Sequence, residues 1–285
     1  MSIQTIGIVG AGSMGAGIAN LAAINGFHVI LQDIEDRFLD GAMSRMDKFM
    51  SKSVERGKMT EEQKREALDR IQTTTNLEDM KDADVVIEAV IENMGLKKEV
   101  FSQLDKITRQ DVILATNTSS LSITEIASAT KRPDRVAGMH FFNPAQLMKL
   151  VEVVRGFETS DKTVEELKAL SARLKKEVVE VKKDSPGFIV NRIMIPQFIE
   201  AIRLLEEGVA TAEDIDKAVK FGLNYPMGPF ELQDFAGVDI GYHVMEYFQK
   251  EFNDSRFAPP LLMKQMMRAG RYGKKTGAGF YDYKK

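Results

Sequence analysis

The chain has 285 residues, 44% apolar and 28% charged, with a formal net charge of −3. That suits one large or two ordinary soluble domains, without the basic excess carried by general nucleic-acid or anionic-membrane binders. There is no cysteine and there are only three histidines, which excludes disulfides, thiolate metal sites and cysteine nucleophiles and argues against a multi-histidine zinc centre.

The N-terminal "MSIQTIGIVGAGSMG" enters a strand almost at once, so no signal peptide is expected. No apolar run reaches the ~18 residues that span a bilayer. These features, with the absence of cysteine, predict a cytoplasmic chain without a membrane or nucleic-acid partner. Strands are predicted at 5–10, 28–33, 70–75, 84–90, 111–118, 135–142, 150–156 and 177–181, separated by longer helical patterns. That alternation is the sign of a βαβ architecture. The 84–90 and 112–115 runs are apolar through their centres, as in strands covered on both faces. Residues 36–67 read as a charged helical excursion broken at 56–60, with Thr60 capping its second part.

After Val181 the pattern becomes helical, with helices predicted at 186–207, 211–221, 229–235, 238–252 and 259–269. Ser185 is expected at an N-cap with Pro186 at the first helical position, and Pro196 is expected to kink the first helix. The fold expected is α/β: a Rossmann-type doubly wound sheet over 1–184, then an all-α domain over 185–285.

The segment "GAGSMG" holds Gly10, Gly12 and Gly15 as G-x-G-x-x-G, with Ser13 and Met14 inside it. The motif is weak alone, but here an apolar strand precedes it and a helical pattern follows. Gly10 permits the tight turn, Gly12 lets a pyrophosphate approach the backbone, and Gly15 allows close helix–strand packing. Asp33 closes the second strand, where a carboxylate binds the adenosine ribose hydroxyls and repels a 2′-phosphate. NAD is therefore expected over NADP, although Arg37 lies nearby.

On the strand pattern alone, His140 reads equally as a core histidine or as a base held by Glu152, which could itself be the outward residue of an alternating strand. Lys48, Lys52 and Arg56 share one helix face, either as anion ligands or as a solvated charged surface. Met43, Met46, Phe49 and Met50 on that helix could contact a ligand or simply pack.

Seven blocks carry a resemblance over essentially the whole length: "GAGSMGAGIA", "VIEAVIENMGLKK", "ATNTSSLSI", "GMHFFNPAQLMKLVEVV", "KDSPGFIVNRI", "NYPMGPFEL" and "KKTGAGFYDY". Together they resemble the 3-hydroxyacyl-CoA dehydrogenase family, in its short bacterial form acting on 3-hydroxybutyryl-CoA. The resemblance implies a Rossmann domain, an all-helical domain that mediates homodimerisation, an acyl-CoA substrate and NAD. It implies that His140 is the catalytic base with Glu152 as its partner. Ser119 and Asn191 match positions near the reacting oxygens, and Asn143 matches a residue beside the nicotinamide. Glu92, Lys97 and Lys275 match residues lining the cofactor cleft. Lys52 and Arg56 are the candidates for the CoA phosphates. Ser119 has a second reading, as cap of the helix after the fifth strand, and Asn191 as part of an exposed polar face. Position 278 is Ala where relatives often carry a charge. A same-fold dehydrogenase of a free 3-hydroxy or sugar acid, or a non-catalytic NAD-binding structural protein, are the alternatives.

Overall fold

The computed structural model describes residues 3–283. The chain divides into two compact units, the first running to Ser185 and the second starting at Pro186.

The first unit is built on eight strands: β1 (Thr5–Val9), β2 (His28–Gln32), β3 (Ile71–Thr74), β4 (Val85–Glu88), β5 (Ile113–Thr116), β6 (Val136–Phe141), β7 (Leu150–Arg155) and β8 (Glu177–Val181). They form one sheet in the order β3-β2-β1-β4-β5-β6-β7-β8. All neighbours pair parallel except β6 and β7. The first six strands follow the order of a doubly wound dinucleotide-binding sheet, whose direction of winding reverses between β1 and β4.

The crossover helices are α1 (Ser13–Ile24), α2 (Asp36–Glu55), α3 (Glu61–Asp69), α4 (Met94–Ile107), α5 (Ile123–Ala127) and α6 (Asp161–Arg173). Every residue of β4 and β5 is buried, because helices cover both faces. The edge strand β8 alternates between exposed and covered positions and carries two glutamates, which discourages pairing with another chain. Thr60 caps α3 in a reciprocal capping box with Gln63. Met46 and Met50 of α2 are fully buried in the core and Met43 packs against it, so these methionines are packing residues.

The second unit holds α7 (Val190–Glu206), α8 (Ala212–Gly222), α9 (Pro229–Ala236), α10 (Val238–Phe252) and α11 (Leu261–Arg268). Ile199, Ile202, Phe230, Met245, Phe248 and Met263 form its core. The helix expected from Pro186 begins instead at Val190. Gly187 and Phe188 both have positive φ, at 76° and 50°, and a Cβ on Gly187 would sit 2.0 Å from the Phe248 ring. This left-handed pair folds 186–189 into a turn packed on α10, so Ser185 cannot act as the helix cap. From there α7 runs through Pro196 to Glu206. Met263 and Met266 lie in this unit's own core, while Leu261 at the start of "LLMKQMM" is exposed. Among the described residues no helix is long and apolar enough to cross a membrane.

Candidate active site

Parallel pairing brings the C-terminal ends of β1, β2, β4, β5 and β6 to one edge of the sheet, and antiparallel β7 starts there. Open α/β sheets bind ligands at this edge, at the point where the winding reverses.

The glycine turn lies on that edge, after β1. Gly10 has φ of 102°, and a Cβ there would meet the Ala89 carbonyl oxygen at 2.7 Å. A Cβ on Gly15 would sit 1.7 Å from the Gly10 carbonyl oxygen, so helix and turn touch only because position 15 is glycine. At Gly12 a Cβ would meet nothing within 4 Å. Protein crowding does not explain that glycine, whereas close approach by a ligand does. Gly12 is the N-cap of α1 and supplies no side-chain cap, Ser13 beside it is exposed and Met14 half-buried. The free N–H groups of the helix start and this open space fit a pyrophosphate.

Asp33 holds the turn from the β2 side. Its Oδ2 accepts the Ala11 N–H at 2.6 Å and its Oδ1 the Ile34 N–H at 2.7 Å. Arg45 of α2 donates to the Ala11 carbonyl at 2.8 Å. Arg37, a candidate for a 2′-phosphate, is instead paired with Glu35 at 2.7 Å.

At the end of β4 lies a chain of ionic contacts. Glu88 is fully buried. Its Oε1 accepts from Lys97 Nζ at 2.7 Å and from the Val90 N–H at 2.7 Å, and its Oε2 accepts from the Thr116 hydroxyl at 2.7 Å. Lys97 is 1% exposed and also approaches Glu92 at 3.4 Å. Lys97 is therefore a buried ammonium whose charge is balanced by two carboxylates. Glu92 is the surface member. Its Oε1 accepts from the Thr118 hydroxyl at 2.5 Å, the Ser119 N–H at 3.2 Å and the Ser120 hydroxyl at 3.3 Å.

Ser119 is half-buried in the turn after β5 and does not cap the next helix. Ser122 does so, accepting the Glu125 N–H, and the S-x-x-E spacing of those two residues was the available signal. Asn117 accepts the Phe141 N–H at 2.9 Å and so ties the end of β5 to the end of β6.

His140 and Glu152 are directly opposed across β6 and β7. The His140 Nδ1 lies 2.7 Å from Glu152 Oε2, with the histidine 5% exposed and the glutamate fully buried. In the tautomer that donates Nδ1–H to the carboxylate, the ring's lone pair is on Nε2. Phe142 stacks at a tilt on the imidazole, ring centres 4.6 Å apart. A carboxylate held this close to one ring nitrogen can fix an imidazole's tautomer and leave the other nitrogen able to take a proton.

Asn143 is exposed in the loop from β6 to β7. That loop is held by Lys176, a buried residue whose Nζ donates to the Ala145 and Met148 carbonyls at 2.7 Å each; burial pushes its pKa down. On the opposite side the loop meets α1, where a Cβ on Gly17 would be 3.0 Å from Gln146 Oε1.

Lys48, Lys52 and Arg56 are exposed along α2 and its C-cap. In the second unit, Asn191 is half-buried in the first turn of α7. Lys275 is exposed and paired with Asp239 at 2.7 Å. Among the described residues no cluster of histidine, aspartate and glutamate could hold a metal ion. Sequence reading passed over Glu88, Thr116, Asn117, Arg45 and Lys176. A carboxylate closing the apolar run "VVIE" was the one signal among them.

Residues 5–185 match the family model for the NAD-binding domain of 3-hydroxyacyl-CoA dehydrogenase, and residues 187–283 match the model for its C-terminal domain. The chain belongs to the 3-hydroxyacyl-CoA dehydrogenase family. It is an oxidoreductase with NAD as its cofactor. It is 47% identical to 3-hydroxybutyryl-CoA dehydrogenase of Clostridioides difficile over 280 residues, covering 98% of this chain and 99% of that protein. It is 46% identical to a probable 3-hydroxybutyryl-CoA dehydrogenase of Bacillus subtilis, covering 99% of this chain and 98% of the relative. The crystal structure of (S)-3-hydroxybutyryl-CoA dehydrogenase from Ralstonia eutropha superposes with a TM-score of 0.96 at 46% identity, over 100% of both chains.

Proposed function

We propose that this chain interconverts L-3-hydroxyacyl-CoA and 3-ketoacyl-CoA, with 3-hydroxybutyryl-CoA and acetoacetyl-CoA as the preferred pair. The observation that carries the reading is the buried His140–Glu152 pair at the cofactor edge of the sheet. The names of the full-length relatives support the substrate.

Bound NAD supplies the hydride acceptor for oxidation and, as NADH, the donor for reduction. His140 Nε2 takes the C3 hydroxyl proton during oxidation and returns it during reduction. Glu152 holds the Nδ1 proton, fixes the tautomer and offsets the imidazolium charge. Ser119 and Asn191 donate hydrogen bonds to the substrate oxygens as charge develops. Asn143, Glu92 and Lys275 serve the cofactor, and Lys97 serves it through Glu92. Gly10, Gly12, Ser13, Met14 and Gly15 receive the pyrophosphate, and Asp33 receives the adenosine ribose. Lys52 and Arg56 meet the CoA phosphates. The roles of Asn191, Lys275, Lys52 and Arg56 rest on their motifs and helix positions alone.

A cytoplasmic homodimer completes the reading. Its support in the structure is an apolar groove of about 500 Å³ on the second unit, with Ile193, Leu223 and Tyr225 exposed along it.

The test is NADH oxidation with acetoacetyl-CoA, run beside NADPH and free acetoacetate. Turnover with NADH and the thioester alone is expected. Faster turnover of the free acid would move the assignment to a hydroxy-acid dehydrogenase, and NADH binding without turnover of either would leave only the cofactor domain.

A further inference from the structure

We propose that Glu88 is a positioning residue for the cofactor: through the buried Lys97 it fixes Glu92, and with it the Ser119 turn, at the cofactor edge of the sheet. The inference rests on the reading above that NADH binds along this edge.

Glu88 follows three apolar residues in β4 and is itself fully buried. A fourth apolar side chain would serve the strand as well. Removing a carboxylate from water costs several kcal/mol unless it is fully paired, and well-packed apolar replacements of buried ion pairs are often neutral or stabilising. Stability is therefore a weak reason to keep an ion pair here, and specificity of placement is the stronger one.

The geometry shows what is placed. Three donors hold the Glu88 carboxylate: the Lys97 ammonium, the Val90 N–H and the Thr116 hydroxyl. The Lys97 Nζ is then set between Glu88 at 2.7 Å and Glu92 at 3.4 Å, and it approaches the Val90 carbonyl at 3.5 Å. Lys97 is 1% exposed, so its charge reaches the surface only through Glu92. Glu92 in turn gathers the Thr118 hydroxyl, the Ser119 N–H and the Ser120 hydroxyl on its other oxygen. The end of β4 and the turn after β5 are thus joined by side chains, on both sides of one buried ammonium. Three charged groups with a net charge of −1 share the site. If Glu88 becomes neutral, Lys97 has only Glu92 to pair with. The shorter, stronger contact draws Glu92 inward and away from Thr118 and Ser119.

The experiment is a fluorescence titration of NADH into wild type, Glu88→Gln, Lys97→Met and the double variant, with thermal midpoints and steady-state kinetics on each. Glu88→Gln keeps the shape of the side chain and is expected to weaken NADH binding about tenfold and, because the Ser119 turn loosens with Glu92, to lower kcat at saturating NADH as well. The double variant removes both buried charges, so its thermal midpoint is expected to recover relative to Glu88→Gln. Its NADH affinity is expected to remain weak and no worse than that of Lys97→Met, because both residues act on Glu92. NADH affinity within twofold of wild type in Glu88→Gln would overturn the proposal. So would a double variant in which affinity recovers together with the midpoint, the signature of a purely structural pair. A wild type that binds NADH but ignores acetoacetyl-CoA would sink the substrate reading alone, since the titration needs no substrate.

Discussion

His140 and Glu152 occupy opposite positions of one antiparallel strand pair, with Nδ1 and Oε2 2.7 Å apart in the interior. The sheet register holds both backbones, so the imidazole is oriented before any substrate arrives. If His140 is the base, as proposed, His140→Ala is expected to lower kcat by about 10²–10⁴. Glu152→Gln keeps the shape but presents an amide that can favour the other tautomer, and a loss of ~10²-fold or more is expected. Steady-state rates with acetoacetyl-CoA and NADH check both. Near-wild-type turnover in His140→Ala would remove the base from the mechanism.

Asp33 Oδ2 accepts the Ala11 N–H and so shapes the glycine turn, and one substitution separates this from the proposed repulsion of a 2′-phosphate by its charge. Asp33→Asn retains an acceptor for Ala11 and loses the charge. NADPH is expected to become a measurably better substrate, with the ratio of kcat/KM for NADH over NADPH falling about tenfold or more, as loss of a like-charge repulsion of ~1.4 kcal/mol gives. An unchanged ratio would place cofactor choice elsewhere.

Asp84, at the start of β4, ties that strand to β1. It accepts the Gln4 and Thr5 N–H groups at 2.8 and 3.0 Å and pairs with Arg109 at 3.2 Å. Burial acts to raise its carboxyl, but the two N–H donors and Arg109 outweigh that and hold it below the ordinary aspartate value. With the folded value depressed, the unfolded chain takes up the proton first as pH falls. The stabilisation is present above about pH 4, the unfolded aspartate range, and is lost as pH falls through the folded value. The thermal midpoint of Asp84→Asn should lie below wild type at pH 7, and the gap should close as pH falls below the ordinary aspartate range and through the depressed folded value. A gap that stays constant over that range would mean that packing, not charge, sets it.

The strands were legible because each is an apolar or alternating run bounded by turn residues. The glycine turn was legible because three glycines meet three different spatial demands at fixed spacing. His140 and Glu152 were legible as candidates, but their contact is a matter of register, and a one-residue slip would turn one of them to the other face. The start of α7 misled because Ser-Pro is a good helix opening by itself. The left-handed Gly187–Phe188 turn that displaces it answers to the Phe248 ring, which is distant in sequence. Glu88 and Lys176 escaped notice for a related reason. The charged and hydroxyl partners of Glu88 and the carbonyl partners of Lys176 lie elsewhere in the chain, and apart from the apolar run that Glu88 closes, nothing local marks either as buried.

Lys176 gives a further test of how the proposed His140–Glu152 pair is supported. It is 8% exposed, and its Nζ spans the Ala145 and Met148 carbonyls of the loop that joins the strands of His140 and Glu152. The same loop carries Asn143. Lys176→Met fills similar space but leaves the two carbonyls without this donor. Hydrogen bonds to a charged group contribute about 1.5–3 kcal/mol each, partly offset here by the cost of burying the ammonium, so a net loss of about 1–3 kcal/mol is expected. The loop should also loosen, and kcat should fall about tenfold through imprecise placement of Asn143 and the end of β6. Melting curves and kinetics measured together decide between two outcomes. A lower midpoint with unchanged kcat would make Lys176 a stabilising clamp only. A fall in kcat at temperatures where the variant remains folded would show that the loop's geometry, and not only its presence, supports the chemistry.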